Sequence, residues 1–307
     1  MKFVSIKHIT PLVLLGVLVL CISFSKTKED RPHRYDHVIV VIEENHGYEA
    51  LIGSDNAPYI NELAKSGALF TDSHGVTHPS QPNYLALFSG SVQNTIGDEC
   101  LLPITPYTTP NLAASLIKND LTFTGYAQTM PSVGYLNCNY KISTLTNAYL
   151  YARKHAPWVN WIGNKANGIP ASLSLPMEQF PTDFSTLPTV SFVIPDMDYD
   201  MHNKGELGDD ATIKRGDQWL KDNLGEYIKW AKNHNSLLIL TFDEDNFMQV
   251  NHIPTIFVGS DIKNGEYNEK INHYNILHTI EAMYSLPFAD TTHATAITAI
   301  WKDKSKS

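Results

Sequence analysis

Unbroken runs of apolar, largely β-branched residues constrain the fold of this chain more than any other feature. The first run, at residues 36–42, has no polar and apolar alternation, which predicts a strand buried on both faces. Similar runs follow at residues 121–127, 189–194, 236–242 and 253–258. Helical patterns lie between them, at residues 59–65, 111–118, 216–233 and 274–284. Strands that alternate with helices predict an α/β fold with a largely parallel central sheet and helices on both faces.

The interval between about residues 97 and 188 differs from the rest of the chain. It is rich in proline, threonine, asparagine and aromatic residues, and only the run at 121–127 reads as a strand. We expect an inserted cap or long active-site loops there. The aromatic residues between Tyr140 and Trp161 are assigned to the core of this cap rather than to a lipid-binding face. The sequence thus predicts one domain over residues 35–301, followed by a polar tail at 302–307.

The first 34 residues read as a leader and a polar spacer. Residues 11–24 are almost wholly apolar, follow Lys2 and Lys7, and precede a polar run. This run is short for a membrane span, which favours a cleaved signal peptide or an uncleaved N-terminal membrane anchor. A lipid anchor at Cys21 is a further alternative. In each case the body of the protein is expected to be exported to the periplasm, the cell surface or the medium.

Export also sets how the cysteines are interpreted. With Cys21 in the leader, Cys100 and Cys138 remain as an even pair in an oxidising compartment, which predicts one disulfide. Two buried thiols are the alternative. A zinc site built on these cysteines is not indicated, because no CxxC spacing occurs. The formal net charge of −9 is opposite to that expected of a nucleic-acid binder.

A proline-flanked serine marks the strongest candidate for catalysis. Ser80 stands one residue after Pro79 and two before Pro82, so its backbone has few accessible conformations. The apolar run after it continues as a helical turn, which places Ser80 near a helix N-terminus, where free N–H groups favour phosphate oxygens. The alternative is a serine that only caps the helix. Thr77 is the second candidate for a nucleophile.

Polar clusters follow the ends of the predicted strands, where ligands bind in open α/β sheets. They lie at residues 43–46, 195–202 and 243–246, and His252 stands directly before the last strand. Carboxylates that converge raise one another's pKa, and a divalent cation removes that cost, so the pattern predicts a metal site. Turn hydrogen bonds alone are the alternative for each cluster. The histidines without a supporting pattern are assigned to surface or packing positions: His46, His74, His155, His234 and His278.

Taken in order, these motifs resemble the phosphoesterase family of bacterial secreted acid phosphatases and phospholipases C, in the alkaline-phosphatase-like superfamily. The resemblance covers about residues 36–287 and implies an alkaline-phosphatase-like fold. The motifs that carry it are Glu44-Asn45, residues 78–84, residues 200–202, residues 241–245 and residues 252–254, with a weaker match at 273–281.

Carried onto this sequence, the resemblance implies a role for each matching residue. Ser80 matches the nucleophile, and a metal ion is held by Glu44, Asn45, Ser80, Asp243 and Glu244. A second site would use Asp200, His202 and His252, with His202 also donating a proton to the leaving group. Substrate binding falls to Asn83, His78 and His273, with Asn83 on a phosphate oxygen. The metal could be zinc, magnesium, manganese or calcium, and the oligomeric state stays open.

The resulting expectation is an exported, metal-dependent phosphomonoesterase of the acid-phosphatase type that works through a phosphoserine intermediate. Its substrate would be a small phosphate ester or a phospholipid headgroup. The alternatives are a phospholipase C-type phosphodiesterase, a phosphoinositide phosphatase and, from another class, a non-catalytic surface binding domain. A sulfatase is disfavoured, because no arginine follows in the 80–83 motif.

Overall fold

A computed structural model describes residue 1 and residues 32–100, 106–247, 250–289, 292 and 294–302. Most of the predicted leader and most of the tail lie outside these residues, so the division into leader, domain and tail stays a prediction. Residues 31–307 form one compact unit. Within the described ranges, no helix is long and apolar enough to cross a membrane.

The predicted alternation of strands and helices is confirmed. The strands are β1 (His37–Glu43), β2 (Ala68–Phe70), β3 (Ser73–His74), β4 (Phe123–Ala127), β5 (Asn139–Ile142), β6 (Tyr149–Ala152), β7 (Ser174–Pro176), β8 (Val190–Ile194), β9 (Ser236–Phe242), β10 (Thr255–Gly259), β11 (Gly265–Tyr267) and β12 (Ile271–Asn272). The α-helices are α1 (Tyr48–Leu51), α2 (Pro58–Ser66), α3 (Ser80–Ser89), α4 (Leu112–Lys118), α5 (Gly208–Ala231) and α6 (His273–Met283).

The central sheet has eight strands in the order β11-β2-β10-β9-β1-β8-β4-β7. Its middle is parallel: β1 pairs with β8 on one side and with β9 on the other, and Val38 lies opposite both Val190 and Leu237. The carboxyl ends of β1, β8 and β9 therefore meet at one edge, because parallel strands point the same way. The sequence places an acidic cluster after each of these three strands.

One predicted strand runs against this direction. β10 is antiparallel to both β9 and β2. Only residues 243–254 connect β9 to β10, and no described residue of that connection is helical. A parallel return usually runs through a helix, and without one the chain turns back beside β9. Because of this turn, residues 243–247 and 250–252 lie at the same edge of the sheet as the ends of the parallel strands.

Helices cover both faces of the sheet, as predicted. On one face, Val38, Val40 and Ile42 of β1 pack in a core with α3, α4 and α6. On the other face, Ile39 and Val41 pack in a core with α2 and α5. Burial on both faces is the physical reason why β1 carries apolar residues without alternation.

Helix α5 begins eight residues earlier than the pattern predicts, at Gly208 rather than Gly216. Gly216 is an interior residue of the helix, and a Cβ atom there would lie 2.5 Å from Cγ of Met201. The glycine thus reflects a close approach between α5 and the loop after β8, rather than a helix start.

The interval at residues 97–188 holds more structure than the single expected strand. Besides β4, it adds β7 to the edge of the central sheet and contains an antiparallel ribbon of β5 and β6. A disulfide joins Cys100 to Cys138, the pair that the cysteine count predicts. The aromatic residues divide: Tyr151, Trp158 and Trp161 are buried as expected, whereas Tyr140 and Tyr149 are exposed. The assignment of Tyr140 and Tyr149 to the cap core is therefore wrong.

Candidate active site

Ser80 is the first residue of α3 and lies between two carboxylates. Its hydroxyl Oγ is 3.0 Å from Oε2 of Glu44, at the end of β1, and 3.2 Å from Oε1 of Glu244, just after β9. A hydroxyl has one proton, so it can donate to only one carboxylate at a time. All three side chains are buried. This arrangement calls for a further positive charge, whether a proton or a cation.

The other two predicted metal ligands stand in the same cluster. The backbone N–H of Asn45 donates to Oδ1 of Asp243 at 3.1 Å, and its Nδ2 donates to Oε1 of Glu244 at 2.9 Å. Oδ1 of Asn45 and Oδ2 of Asp243 are buried and have no hydrogen-bond partner among the residues that the structure describes. The five residues assigned to the metal from the resemblance are thus brought together, and two of their oxygens still need a partner.

The electrostatics of this cluster fit a divalent cation. Burial, together with the charge on Glu44, raises the pKa of Glu244 to about 8. The same two causes raise the pKa of Asp243 well above its usual range. Ionising all of these acids is costly without a positive charge, and bound cations supply one. The donor set, made of carboxylate, amide and hydroxyl oxygens, suits a hard divalent ion.

A second group of possible ligands consists of Glu44, His155 and Asp200, whose ligand atoms lie within 4.8 Å of one another. Nε2 of His155 is 2.9 Å from Oε1 of Glu44, and Nδ1 is 3.4 Å from Oδ2 of Asp200. Although burial opposes its charge, the carboxylate of Glu44 and then that of Asp200 raise the pKa of His155 to about 9. In this geometry His155 is the buried positive partner of both acids.

The assignment of His155 to a surface or packing position is therefore wrong. The ring is buried and stacks on Tyr84, whose hydroxyl donates to Oε1 of Glu44 at 2.7 Å. One signal in the sequence could have indicated it: His155 ends the basic triplet 153–155, in a stretch without acidic residues. Lys154 was also missed. Its Nζ is 2.6 Å from Oδ2 of Asp98, whose Oδ1 accepts from the N–H of Gln81 at 2.9 Å.

The predicted second-site residues do not all come together. The N–H of His202 donates to Oδ1 of Asp200 at 2.8 Å, and its ring centre lies 6.2 Å from that of His155. His252 lies elsewhere: it stacks on Tyr48, and its Nε2 is 3.0 Å from the carbonyl of Thr71. Among the described residues, none of its hydrogen bonds or ring contacts reaches Asp200 or His202. His155 takes the position expected for His252.

Two of the three residues assigned to the substrate have structural contacts instead. Oδ1 of Asn83 accepts from the N–H groups of Val76 and Thr77, and its Nδ2 donates to the carbonyls of Thr77 and Pro79. All four hydrogen-bonding positions of the amide are used, so no donor is left for a phosphate oxygen. The expected role of Asn83 is therefore corrected: it holds the loop that leads into Ser80.

His273 is the second such residue. It is buried, and its Nε2 is 2.7 Å from the carbonyl of Asp243. Burial lowers its pKa to about 4, so the ring is neutral near pH 7. Its Nε2 contact supports the main chain of the acidic cluster, which is a structural role rather than the expected substrate contact.

His78 lies where a substrate could reach it. Its Nδ1 is 2.5 Å from Oε2 of Glu244, and its ring stacks on Phe247 with centres 4.0 Å apart. The side chain is partly exposed and lines a cavity of about 730 Å³, together with Thr77 and Lys270. Thr77 itself donates its hydroxyl to the carbonyl of His78, away from the carboxylates that surround Ser80.

The comparisons with known proteins agree with this geometry. Residues 53–287 match the model of the Phosphoesterase family. The chain is 44% identical over 272 residues to a phosphatidylinositol-3-phosphatase of Mycobacterium tuberculosis, covering 88% of this chain and 84% of that relative. It is 26% identical to a probable acid phosphatase of Kluyveromyces lactis, covering 82% of this chain and 59% of the relative.

Solved structures show the same fold at low sequence identity. One is a protein of the alkaline phosphatase superfamily from Vibrio parahaemolyticus, with a TM-score of 0.55 and 13% identity over 83% of this chain and 67% of that chain. Another is a phosphonate monoester hydrolase from Silicibacter pomeroyi, with a TM-score of 0.54 and 13% identity. The match covers 85% of this chain and 76% of that chain. With an alkaline-phosphatase-like fold and a family match over most of its length, the chain belongs to the Phosphoesterase family, whose members are hydrolases of phosphoric esters.

Proposed function

We propose that this protein is a metal-dependent phosphomonoesterase in which Ser80 is the nucleophile. The observation that carries the proposal is the position of the Ser80 hydroxyl, 3.0 Å and 3.2 Å from two buried carboxylates at the start of a helix. Asn83 restricts the loop before Ser80, so the hydroxyl is aimed before a substrate arrives.

In the proposed reaction, Oγ of Ser80 attacks the phosphorus atom of the ester. An O–P bond forms to Ser80, the bond between phosphorus and the alcohol oxygen breaks, and the alcohol leaves with one proton. Water then attacks the phosphoserine, so Ser80 recovers its proton and phosphate is released. Thr77 is less suited to this role, because its hydroxyl is already donated to a backbone carbonyl.

The residues that would hold the metal are Glu44, Asn45, Ser80, Asp243 and Glu244. A divalent cation bound there lowers the pKa of a hydroxyl and neutralises charge on phosphoryl oxygens. The two unpartnered buried oxygens of Asn45 and Asp243 support this assignment. His155 and Asp200 border the same cluster through Glu44, and they would fix the orientation of its carboxylate.

Histidines at the edge of the cluster are suited to proton transfer to the leaving alcohol. His202 follows Asp200, and His78 contacts Glu244 from the cavity side. A histidine exchanges protons in the pH range where most enzymes work. We assign His202 to the leaving group and His78 to contact with the substrate.

For the substrate class, we propose a phosphate monoester of an inositol lipid. The relative that is 44% identical is named a phosphatidylinositol-3-phosphatase, and the match covers most of both chains. The predicted leader supports export of the enzyme.

The test is hydrolysis of p-nitrophenyl phosphate, bis-p-nitrophenyl phosphate and phosphatidylinositol 3-phosphate, with and without a chelator. We expect the monoesters to be cleaved, chelation to abolish turnover and added divalent metal to restore it. Ser80→Ala should lower kcat by at least about 10³-fold, whereas Thr77→Ala should retain most activity. Preference for the diester would favour a phosphodiesterase, and no turnover by folded, metal-supplied protein would favour a binding domain. A Ser80→Ala variant that keeps its activity would refute the assigned nucleophile.

A further inference from the structure

The ribbon of β5 and β6 exposes large apolar side chains to solvent. Ile142 and Tyr149 are directly paired across the ribbon, so they share one face, and they are 56% and 45% exposed. Tyr140, on the same strand as Ile142, is 44% exposed, and Leu145, in the turn, is 47% exposed. We call these four residues the ribbon face. A two-stranded ribbon that exposes this much apolar area suggests an interaction surface.

The sequence stretch that contains the ribbon differs in charge from the rest of the chain. Residues 121–177 contain no aspartate or glutamate, although the chain has a net charge of −9. Of the cations in this stretch, Arg153 is buried and Lys154 pairs with Asp98, whereas Lys141 and Lys165 are exposed and Lys141 lies on the ribbon itself. An apolar face that carries an exposed lysine complements an anionic lipid bilayer.

The ribbon is also fixed to the loop that carries Asp200 and His202. The hydroxyl of Ser143 donates to Oδ2 of Asp198 at 2.8 Å, and the N–H of Met197 donates to the carbonyl of Leu150 at 2.9 Å. Ser143 and Asp198 are both buried, so these bonds are protected from water. Whatever the ribbon face binds is therefore held at a set position relative to the site.

A cavity of about 340 Å³ lies between the ribbon and the ion pair of Asp98 and Lys154. Tyr149 and Asn147 line it on the ribbon side, and Asp98 and Lys154 line it on the side of Ser80. Asp98 accepts from the N–H of Gln81, the residue next to Ser80. The cavity has hydrogen-bonding groups for a hydroxylated headgroup, and it opens beside the apolar ribbon face.

We propose that the ribbon face docks on the surface of an anionic lipid bilayer, so that a phospholipid headgroup enters the cavity from the membrane. Tyr140, Ile142 and Leu145 contact the acyl boundary, and Lys141 contacts anionic headgroups. The proposal rests on the proposed function, because it says that the active site binds its phospholipid substrate in a membrane.

The test compares the full-length chain with Ile142→Thr/Leu145→Ser, a variant that leaves the cavity lining intact. The matched control is Ile117→Thr/Leu207→Ser, which makes the same two changes at exposed apolar positions outside the ribbon. Co-sedimentation uses vesicles of phosphatidylcholine and phosphatidylserine without phosphoinositide. We expect the ribbon variant to bind about tenfold more weakly than the wild type, and the control to bind like the wild type.

Kinetics separate this proposal from the proposed function. The ribbon variant should hydrolyse p-nitrophenyl phosphate at the wild-type rate and lose about tenfold in kcat/KM only on vesicle-borne phosphatidylinositol 3-phosphate. Vesicle binding that depends on the ribbon, in a protein without phosphatase activity, would support docking and refute the proposed function. Equal binding of the ribbon variant and the control would overturn docking.

A measurement on the wild type covers the case in which the ribbon variant does not fold. Hydrogen exchange of the amides at residues 139–149 should slow when vesicles are added, and unchanged exchange would overturn the proposal. Sedimentation velocity without vesicles tests the alternative that a second copy of the chain covers the ribbon face. A wild-type dimer that becomes a monomer in Ile142→Thr/Leu145→Ser would assign the ribbon face to a second copy of the chain instead.

Discussion

Substitution of Gly216 by alanine tests how helix α5 positions the site. A Cβ atom at this position would lie 2.5 Å from Cγ and 2.6 Å from Cε of Met201, and 2.9 Å from the carbonyl oxygen of Tyr199. All three distances are shorter than normal contacts, so atoms must move. Met201 is fully buried and stands between Asp200 and His202. The displacement would therefore reach the proposed catalytic loop.

The expected loss of stability is the difference between two effects. Overpacking a buried contact costs about 1–3 kcal/mol. Alanine is favoured over glycine inside a helix by about 1 kcal/mol, which offsets part of that cost. The free energy of unfolding of Gly216→Ala should therefore fall by about 0–2 kcal/mol. Activity should fall further, by about 10- to 100-fold in kcat/KM, because catalysis depends on placement to within about 1 Å.

Gly225→Ala on the same helix is the matched control. Its Cβ would meet the hydroxyl of Tyr59 at 3.4 Å, an ordinary contact, so helix propensity alone should act. We expect this variant to be as active as the wild type and up to about 1 kcal/mol more stable. The assays are urea unfolding followed by circular dichroism, and steady-state kinetics with p-nitrophenyl phosphate.

A double-mutant cycle locates the effect. Met201→Ala removes the side chain that the new methyl group meets, so the effects of Gly216→Ala and Met201→Ala should be non-additive. Additive effects would place the strain elsewhere, at the backbone of Tyr199. If Gly216→Ala proved as stable and as active as Gly225→Ala, the argument from close approach would be refuted.

Two further predictions concern stability. The carboxylate of Asp217, in α5, accepts from the N–H groups of Tyr59 and Ile60 at 3.0 and 2.8 Å. These groups lie at the start of α2, whose N-cap residue, Ala57, offers no side-chain acceptor. Asp217→Ala should lower the free energy of unfolding by about 1–3 kcal/mol, whereas Asp222→Ala, at an exposed position of α5, should change it by less than about 0.5 kcal/mol. Equal losses in the two variants would contradict this capping role. The disulfide closes a loop with a sequence separation of 38, so Cys100→Ser/Cys138→Ser should cost up to about 4 kcal/mol in denaturant unfolding. A reducing agent should lower the stability of the wild type equally, and no change in either sample would show that the bond does not form.

Much of the fold could be predicted from the sequence, because burial leaves a direct mark on composition. Strands β1, β4, β8 and β9 appear as apolar runs, since both faces of a central strand exclude water. Strands β5, β6 and β7 were missed for the opposite reason. They have only three or four residues each and lie at the edge of the sheet or outside it, so no long apolar run marks them.

The residues of the candidate site also differ in how well the sequence predicts them. Glu44, Asn45, Ser80, Asp243 and Glu244 form recognisable motifs, because each directly follows a strand or opens a helix. His155 has only the basic triplet 153–155 as a signal, and its role could not be predicted from that, since its partners Glu44 and Asp200 lie 111 and 45 positions away in the sequence. The roles expected of Asn83 and His273 also depended on information that a motif lacks, namely whether nearby backbone groups already use their hydrogen-bonding atoms.

By itself the sequence determined which strands are buried on both faces, which turn precedes Ser80 and which acids end the parallel strands, because these properties follow from neighbours along the chain. Only the tertiary structure decided that His155 neutralises Glu44 and Asp200, that His252 stands apart, and that the ribbon face is exposed beside the site. Charge pairing and solvent exposure depend on distances in space, and those are set by how distant segments pack.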